Sequence, residues 1–111
     1  MTTIINLTDK TVKIMRNDGT GAILPPCGVV AYIPASYKRL TTKDGIEYLT
    51  AGYGTVQGIP APDEGIVYFV EYEVWERVML KRSDVVTYGE KIFDKHGNYL
   101  YCRGVTYNGK V

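Results

Sequence analysis

Turn chemistry cuts this chain into short pieces, and that limits its fold more than any other feature. "NDGTG" (17–21), "PPCG" (25–28), "KDG" (43–45), "PAPDEG" (60–65) and "DKHGN" (94–98) punctuate it along its length. Asn, Asp and Gly tolerate positive φ, and Pro cannot donate to a β-ladder, so each cluster stops regular pairing. Between them lie runs rich in β-branched and aromatic residues: "TIINL" (3–7), "TVKIMR" (11–16), "AIL" (22–24) and "GVVAYI" (28–33). In the second run Val12, Ile14 and Met15 are apolar while Lys13 and Arg16 are polar, close to the alternation of a half-buried strand. The first third therefore reads as a β-meander. "IVYFVEY" (66–72) is the most hydrophobic run and reads as a central strand. "EKIF" (90–93) and "YLYCRGV" (99–105) flank the last turn as a hairpin, and "TYNGKV" (106–111) reads as a further short strand or a frayed tail.

The middle is less regular. Residues 34–45, "PASYKRLTTKDG", carry loop and turn types, with Lys38, Arg39 and Lys43 as a mild basic cluster. "IEYLT" (46–50) and "GTVQGI" (54–59) read as two strands joined at "AGYG", and a flexible or protruding hairpin fits the stretch. The period changes only over 71–82. There Val74, Trp75, Val78 and Met79 form one helical stripe, and Glu73 and Arg77 sit four apart with the acid first. The pattern predicts one domain spanning 1–111. Its expected fold is mainly β, a small antiparallel barrel or rolled sheet, because closure removes exposed edges. One short α-helix over about residues 72–81 closes an end.

Composition narrows the function classes. With 45% hydrophobic and 23% charged residues the chain is globular rather than disordered. A net charge of +1 is no footprint for duplex nucleic acid. No apolar run approaches the roughly 20 residues that span a bilayer. The start, "MTTIINLTDK", lacks a basic region followed by a long apolar one, so the expected setting is cytoplasmic, with Cys27 and Cys102 as reduced thiols. Ten of the thirteen aromatic residues are Tyr. Tyr packs across strands on half-exposed faces, and it is also enriched at binding surfaces.

Catalytic groups are scarce. His96 is the only His and stands in a turn, while Cys102 is six residues on along the returning strand. A Cys/His pair needs hydrogen-bond contact and an orienting third group, so this pair reads as an exposed His and a structural Cys. One His and two isolated Cys cannot make a zinc site, and the acidic loops are too poor in carboxylates for calcium. No phosphate-cradling glycine motif is present. The expectation is no enzyme, no cofactor and no metal.

Two constellations remain as candidate binding features. In "KRSD" (81–84), Arg82 and Asp84 can pair with each other, or Arg82 can grip a phosphate or carboxylate with two donors. The second is an aromatic set: Tyr68 and Tyr72 near the helix start, with Tyr99, Tyr101 and Arg103 on the last strand. By alternation the last three share one face, a row that could stack a base, grip a protein loop or simply cover the sheet.

"NLT" followed by Val12, "PPCG" before a strand, "GIPAPDEGIVYFV", "RSDVVTYG" and "DKHGNYLYCRGV" together resemble a small, uncharacterised family of phage, prophage and bacterial proteins. Its members begin N-L-T-P-H-x-V and carry later G-L-P-x-P-x-E-G, R-x-D-[LV] and D-x-x-G-x-[IV]-x-[GA]-C-[RK]-G. Asp9-Lys10 stands here in place of Pro-His. Matching positions include Asn6, Pro60, Gly65, Arg82, Asp84, Gly89, Asp94, Gly97, Cys102 and Gly104. The resemblance implies a phage-encoded accessory protein in the cytoplasm of the infected bacterium, and it carries over no catalytic residue.

The leading expectation is therefore a non-catalytic counter-defence protein. It either sequesters a nucleotide-type immune signal or masks a host defence protein, alone or as a homo-oligomer. The first route needs Arg82, Arg103 and Tyr residues converging on a pocket. The second needs a broad surface. A small virion or assembly component is the alternative, marked by exposed edge strands and oligomers. A single-stranded nucleic-acid-binding module on the face of Tyr99, Tyr101 and Arg103 is a further one.

Overall fold

The computed structural model describes residues 2–108, which form eight strands and one helix. They are β1 (Thr3–Asn6), β2 (Val12–Met15), β3 (Gly21–Leu24), β4 (Ala35–Lys43), β5 (Ile46–Tyr53), β6 (Ile66–Phe69), α1 (Tyr72–Val78), β7 (Val85–Phe93) and β8 (Tyr99–Thr106). Six of the strands roll into one sheet in the order β1-β6-β7-β8-β2-β3. The expected mainly-β barrel or rolled sheet with one short helix is what the chain forms, but its pairing is mixed rather than antiparallel as expected, because three of its five strand pairs join strands linked by crossovers. β6 runs parallel to both neighbours, β2 runs parallel to β8, and β7/β8 and β2/β3 are antiparallel.

Asn6 draws the two outer strands together. It is 2% exposed at the end of β1, and its Nδ2 donates to Leu24 O of β3 at 2.8 Å and to Lys10 O at 2.7 Å. Its Oδ1 accepts from Thr8 N at 2.9 Å and Thr8 Oγ1 at 2.7 Å, and its carbonyl accepts from Cys27 N at 3.2 Å. A buried amide with all these partners offsets its own desolvation and leaves the roll nearly closed.

Alternation along β6 builds two apolar layers. Phe69 points inward to Val12, Ile14, Val86 and Cys102, and the partly buried members of this layer, among them Ile4, Leu24 and Val67, bring in the remaining strands. Tyr68 and Val70 point outward to Leu7, Val85 and the Val74 and Trp75 stripe of α1. The helix is laid against the roll because only that stripe is apolar. It ends at Val78, short of the sequence expectation, and the N–H groups of Lys81 and Arg82 fold back onto Val78 O in a closing turn.

Three further sequence expectations are corrected. The first third is not a meander, since β1 pairs with β6 and only β2 and β3 form a hairpin. β2 lies at the far side of the sheet order, between β8 and β3, so the link after β1 is a crossing rather than a reversal. Residues 28–33 are not a strand. Val29 and Val30 are exposed, Ala31 is buried, and Tyr32 makes a single bridge to Gln57. An apolar run whose side chains are mostly exposed mimics a strand by composition alone. Finally, the hairpin of the middle turns at Asp44 and Gly45, both at positive φ, and not at "AGYG". Residues 35–43 are its first strand, residues 51–53 complete its second, and 54–59 form none. A two-residue Asp-Gly loop matches the twist of the strands it joins. Of "TYNGKV", Thr106 closes β8, and residues 109–111 lie outside the described residues.

The β4–β5 hairpin stands off the roll as an arm. Every residue of both strands is exposed. The radius of gyration is 17.0 Å, where a compact chain of this length has about 13 Å, and the long axis reaches 55 Å. Gly54 N donates to Pro34 O at 2.9 Å across its base, and the Arg77 guanidinium lies 5.2 Å from the Tyr53 ring centroid.

Candidate functional site

Arg82 and Asp84 meet each other. Arg82 Nε donates to Asp84 Oδ1 at 2.8 Å and Nη2 to Oδ2 at 2.7 Å, while Nη2 also donates to Pro60 O at 2.9 Å. Arg82 therefore ties the 60–65 loop to the start of β7. Its hydrogen bonds hold the Asp84 carboxyl below the usual range, and Asp84 raises the guanidinium in turn. The same arginine borders a cleft of about 330 Å³ with Val56, Ile59, Arg77 and Lys81.

The aromatic set is dispersed. Tyr68 is a core residue, 3% exposed, with its hydroxyl donating to Ala61 O at 3.3 Å. Tyr72 is exposed on α1 against Trp75, with a phenol pKa raised by the neighbouring Glu76. Tyr99 does not share a face with Tyr101 and Arg103. The register of β7 and β8 slips by one residue between Ile92 and Phe93, so Ile92 faces Tyr101 and Phe93 faces Tyr99. A one-residue slip turns a side chain to the opposite face.

Two separate surface clefts result. Tyr101 and Arg103 line an open groove of about 800 Å³ with Ile4, Ile14, Met15 and Arg16. Arg103 Nη1 lies 3.6 Å from Glu90 Oε1, and Arg16 Nη1 donates to Thr20 Oγ1 and Gly21 O. Tyr99 joins Tyr88, Glu71, Lys91 and Lys10 around a smaller cleft of about 280 Å³. There the Tyr88 hydroxyl donates to Glu71 Oε1 at 3.3 Å, and Lys91 Nζ sits 4.7 Å from the Tyr88 ring centroid. Burial, and then the Glu71 charge, push the Tyr88 phenol up to about 12. Burial raises Tyr99 as well, followed by the influence of Cys102. At neutral pH both phenols are donors, not bases. Arg82 and Arg103 thus border different clefts.

His96 is exposed in the last turn, where Asp94 Oδ1 accepts from the N–H groups of His96 and Asn98. Cys102 is buried, its sulfur next to Lys13 O and Gly104 O. Among the described residues no group of three or more His, Cys, Asp or Glu side chains could hold a metal ion. No helix among them is long and apolar enough to cross a membrane.

A further exposed surface is the arm, where the sequence predicts a loop over 34–45 and a flexible or protruding hairpin over 46–59. Its pairing puts Tyr37, Leu49, Ala51 and Tyr53 on one face with Arg39 and Glu47, and Ile46, Tyr48 and Thr50 on the other with Lys38 and Lys43. Tyr37, Leu40, Ile46, Tyr48, Leu49 and Tyr53 are each 45–66% exposed. The excess of Tyr was the available signal: Tyr37, Tyr48 and Tyr53 are all here. No family model, curated protein or solved structure matches the chain.

Proposed function

We propose that this chain is a non-catalytic binding protein that acts by protein contact, and that the β4–β5 arm is its contact element. In the phage setting that the sequence resemblance implies, the contact masks a host defence protein. The observation that carries this reading is the exposure of every arm residue, six large apolar side chains included. Apolar surface of this extent on a projecting element marks interaction sites in folded proteins. Tyr with Arg is the composition of interface anchors. Pocket sequestration of a nucleotide-type signal has less support, because the arginines it requires border separate clefts.

Arm deletion tests the proposal. Pro34 and Gly54 are already hydrogen bonded, so residues 35–53 can be replaced by a short Asn-Gly turn without disturbing the roll. Full-length and armless chains serve as baits in lysate of the bacterial host, and the captured protein is then titrated in purified form. Binding by the full-length chain alone, with hydrogen-exchange protection over 35–53, is the expected result. Equal binding by the armless chain would overturn the reading.

A further inference from the structure

The two long edges of the arm are built differently. β4 carries Lys38, Arg39 and Lys43, and its register with β5 slips between Arg39 and Thr41, leaving Leu40 without a partner. Charges, lysine above all, and bulges are the devices by which edge strands refuse further pairing. β5, "IEYLTAGY", has one charge in eight residues, Glu47, and no proline. It is an edge with a single charge, no bulge and unpaired backbone groups. One edge of the same hairpin is protected and the other is left open.

We propose that the open edge is completed by a second copy of this chain, with β5 pairing antiparallel to β5 of the partner about a two-fold axis. This rests on the arm being the contact element and adds the unit in which the arm works. An isolated two-stranded hairpin is marginal in water, whereas four strands in the order β4-β5-β5-β4 form a sheet that can stand alone. A two-fold interface must be self-complementary, and β5 meets that condition. Glu47 is second in the strand, so antiparallel pairing sends the two Glu47 side chains to opposite ends. The basic residues of β4 fall on the two outer strands, away from each other. A foreign partner would need a matching free edge, which a second copy brings by construction.

The β5–β5 edge joins eight residues a side, so the pairing rests on main-chain hydrogen bonds between the two strands rather than on an interface of the usual size, about 20–30 residues a side. The joined sheet then presents two copies of the Tyr37, Leu49 and Tyr53 face side by side. A masked protein would meet this doubled face.

Size-exclusion chromatography with light scattering on the full chain tests the inference. The wild type is expected at twice the chain mass of 12.4 kDa. Leu49→Lys with Ala51→Lys places lysines where the two β5 strands meet, and should raise the dimer dissociation constant at least tenfold. Thr41→Lys, on the protected edge, should leave the dimer intact. As a second handle, Thr50→Cys in a Cys27→Ser background should form a disulfide-linked dimer under mild oxidation. Wild type at the single-chain mass would overturn the inference, as would a closed ring of larger mass or dissociation by Thr41→Lys alone. A monomeric wild type that still needed its arm to capture a partner would sink the dimer and leave the contact reading standing.

Discussion

Tyr68 and Tyr48 are each the third residue of a strand that begins with Ile, yet the first is 3% exposed and the second 45%. Around Tyr68, β6 has a strand on each side and an apolar layer on each face. Around Tyr48, β5 has one neighbour and open space elsewhere. β-propensity is largely a measure of fit to a covered, pleated surface. The roll supplies its own cover. The arm does not, and on the proposed reading its apolar side chains take their cover from another molecule.

The largest expected effect separates the two regions outright. Phe69 is fully buried at the centre of the inner layer, and Phe69→Ala should cost about 3–5 kcal/mol in denaturant unfolding. Tyr48→Ala should change the stability of the roll by less than about 0.5 kcal/mol while weakening association. Equal losses would mean that the arm is part of the cooperative core. Next comes Asn6→Ala. It removes four side-chain hydrogen bonds, one across the seam to Leu24 O of β3 and three to Thr8 and Lys10 in the link after β1, and leaves buried partners unpaired, an expected loss of about 2–3 kcal/mol. No loss would show that the seam closes without it.

Smaller effects come from pH, and they belong to the roll. Arg82 lowers the folded pKa of Asp84 below the unfolded value of about 3.9. Between those two values the unfolded chain binds more protons, so this stabilisation is complete above about pH 4 and is lost as pH falls through the folded pKa. Asp84→Asn should flatten the acid limb of the stability curve. Tyr88 has the opposite sign. Its folded pKa of about 12 lies above the unfolded value of about 10, so stability falls as pH rises through that window. Tyr88→Phe should flatten the alkaline limb, and unchanged limbs in both variants would contradict these assignments.

Much of the roll was legible in the sequence because its strands face a core. Val12 and Ile14 alternate with polar neighbours, β6 is a continuous apolar run, and α1 shows its stripe. A protruding hairpin in the middle was legible, with 46–50 as one of its strands, but its first strand and its turn were not, for the same reason in reverse. Neither face of β4 meets a core, so Lys38, Arg39, Thr41, Thr42 and Lys43 carry no period and read as loop. Residues 28–33 misled the other way, being apolar without being a strand. Among the candidate site residues, the Arg82–Asp84 pair is visible from its spacing. The slip opposite Tyr99 and the approach of Arg16 to Arg103 depend on register and crossing strands, which the sequence does not display.

The most direct test of the contrast between roll and arm is hydrogen exchange as a function of protein concentration. The account predicts that amides of the roll, such as Phe69 and Val86, exchange at a rate independent of concentration. Amides of 46–53 should become protected as concentration rises through the dimer range, with β5 gaining more than β4. Protection of the arm that does not change with concentration, or an arm that stays unprotected throughout, would contradict it.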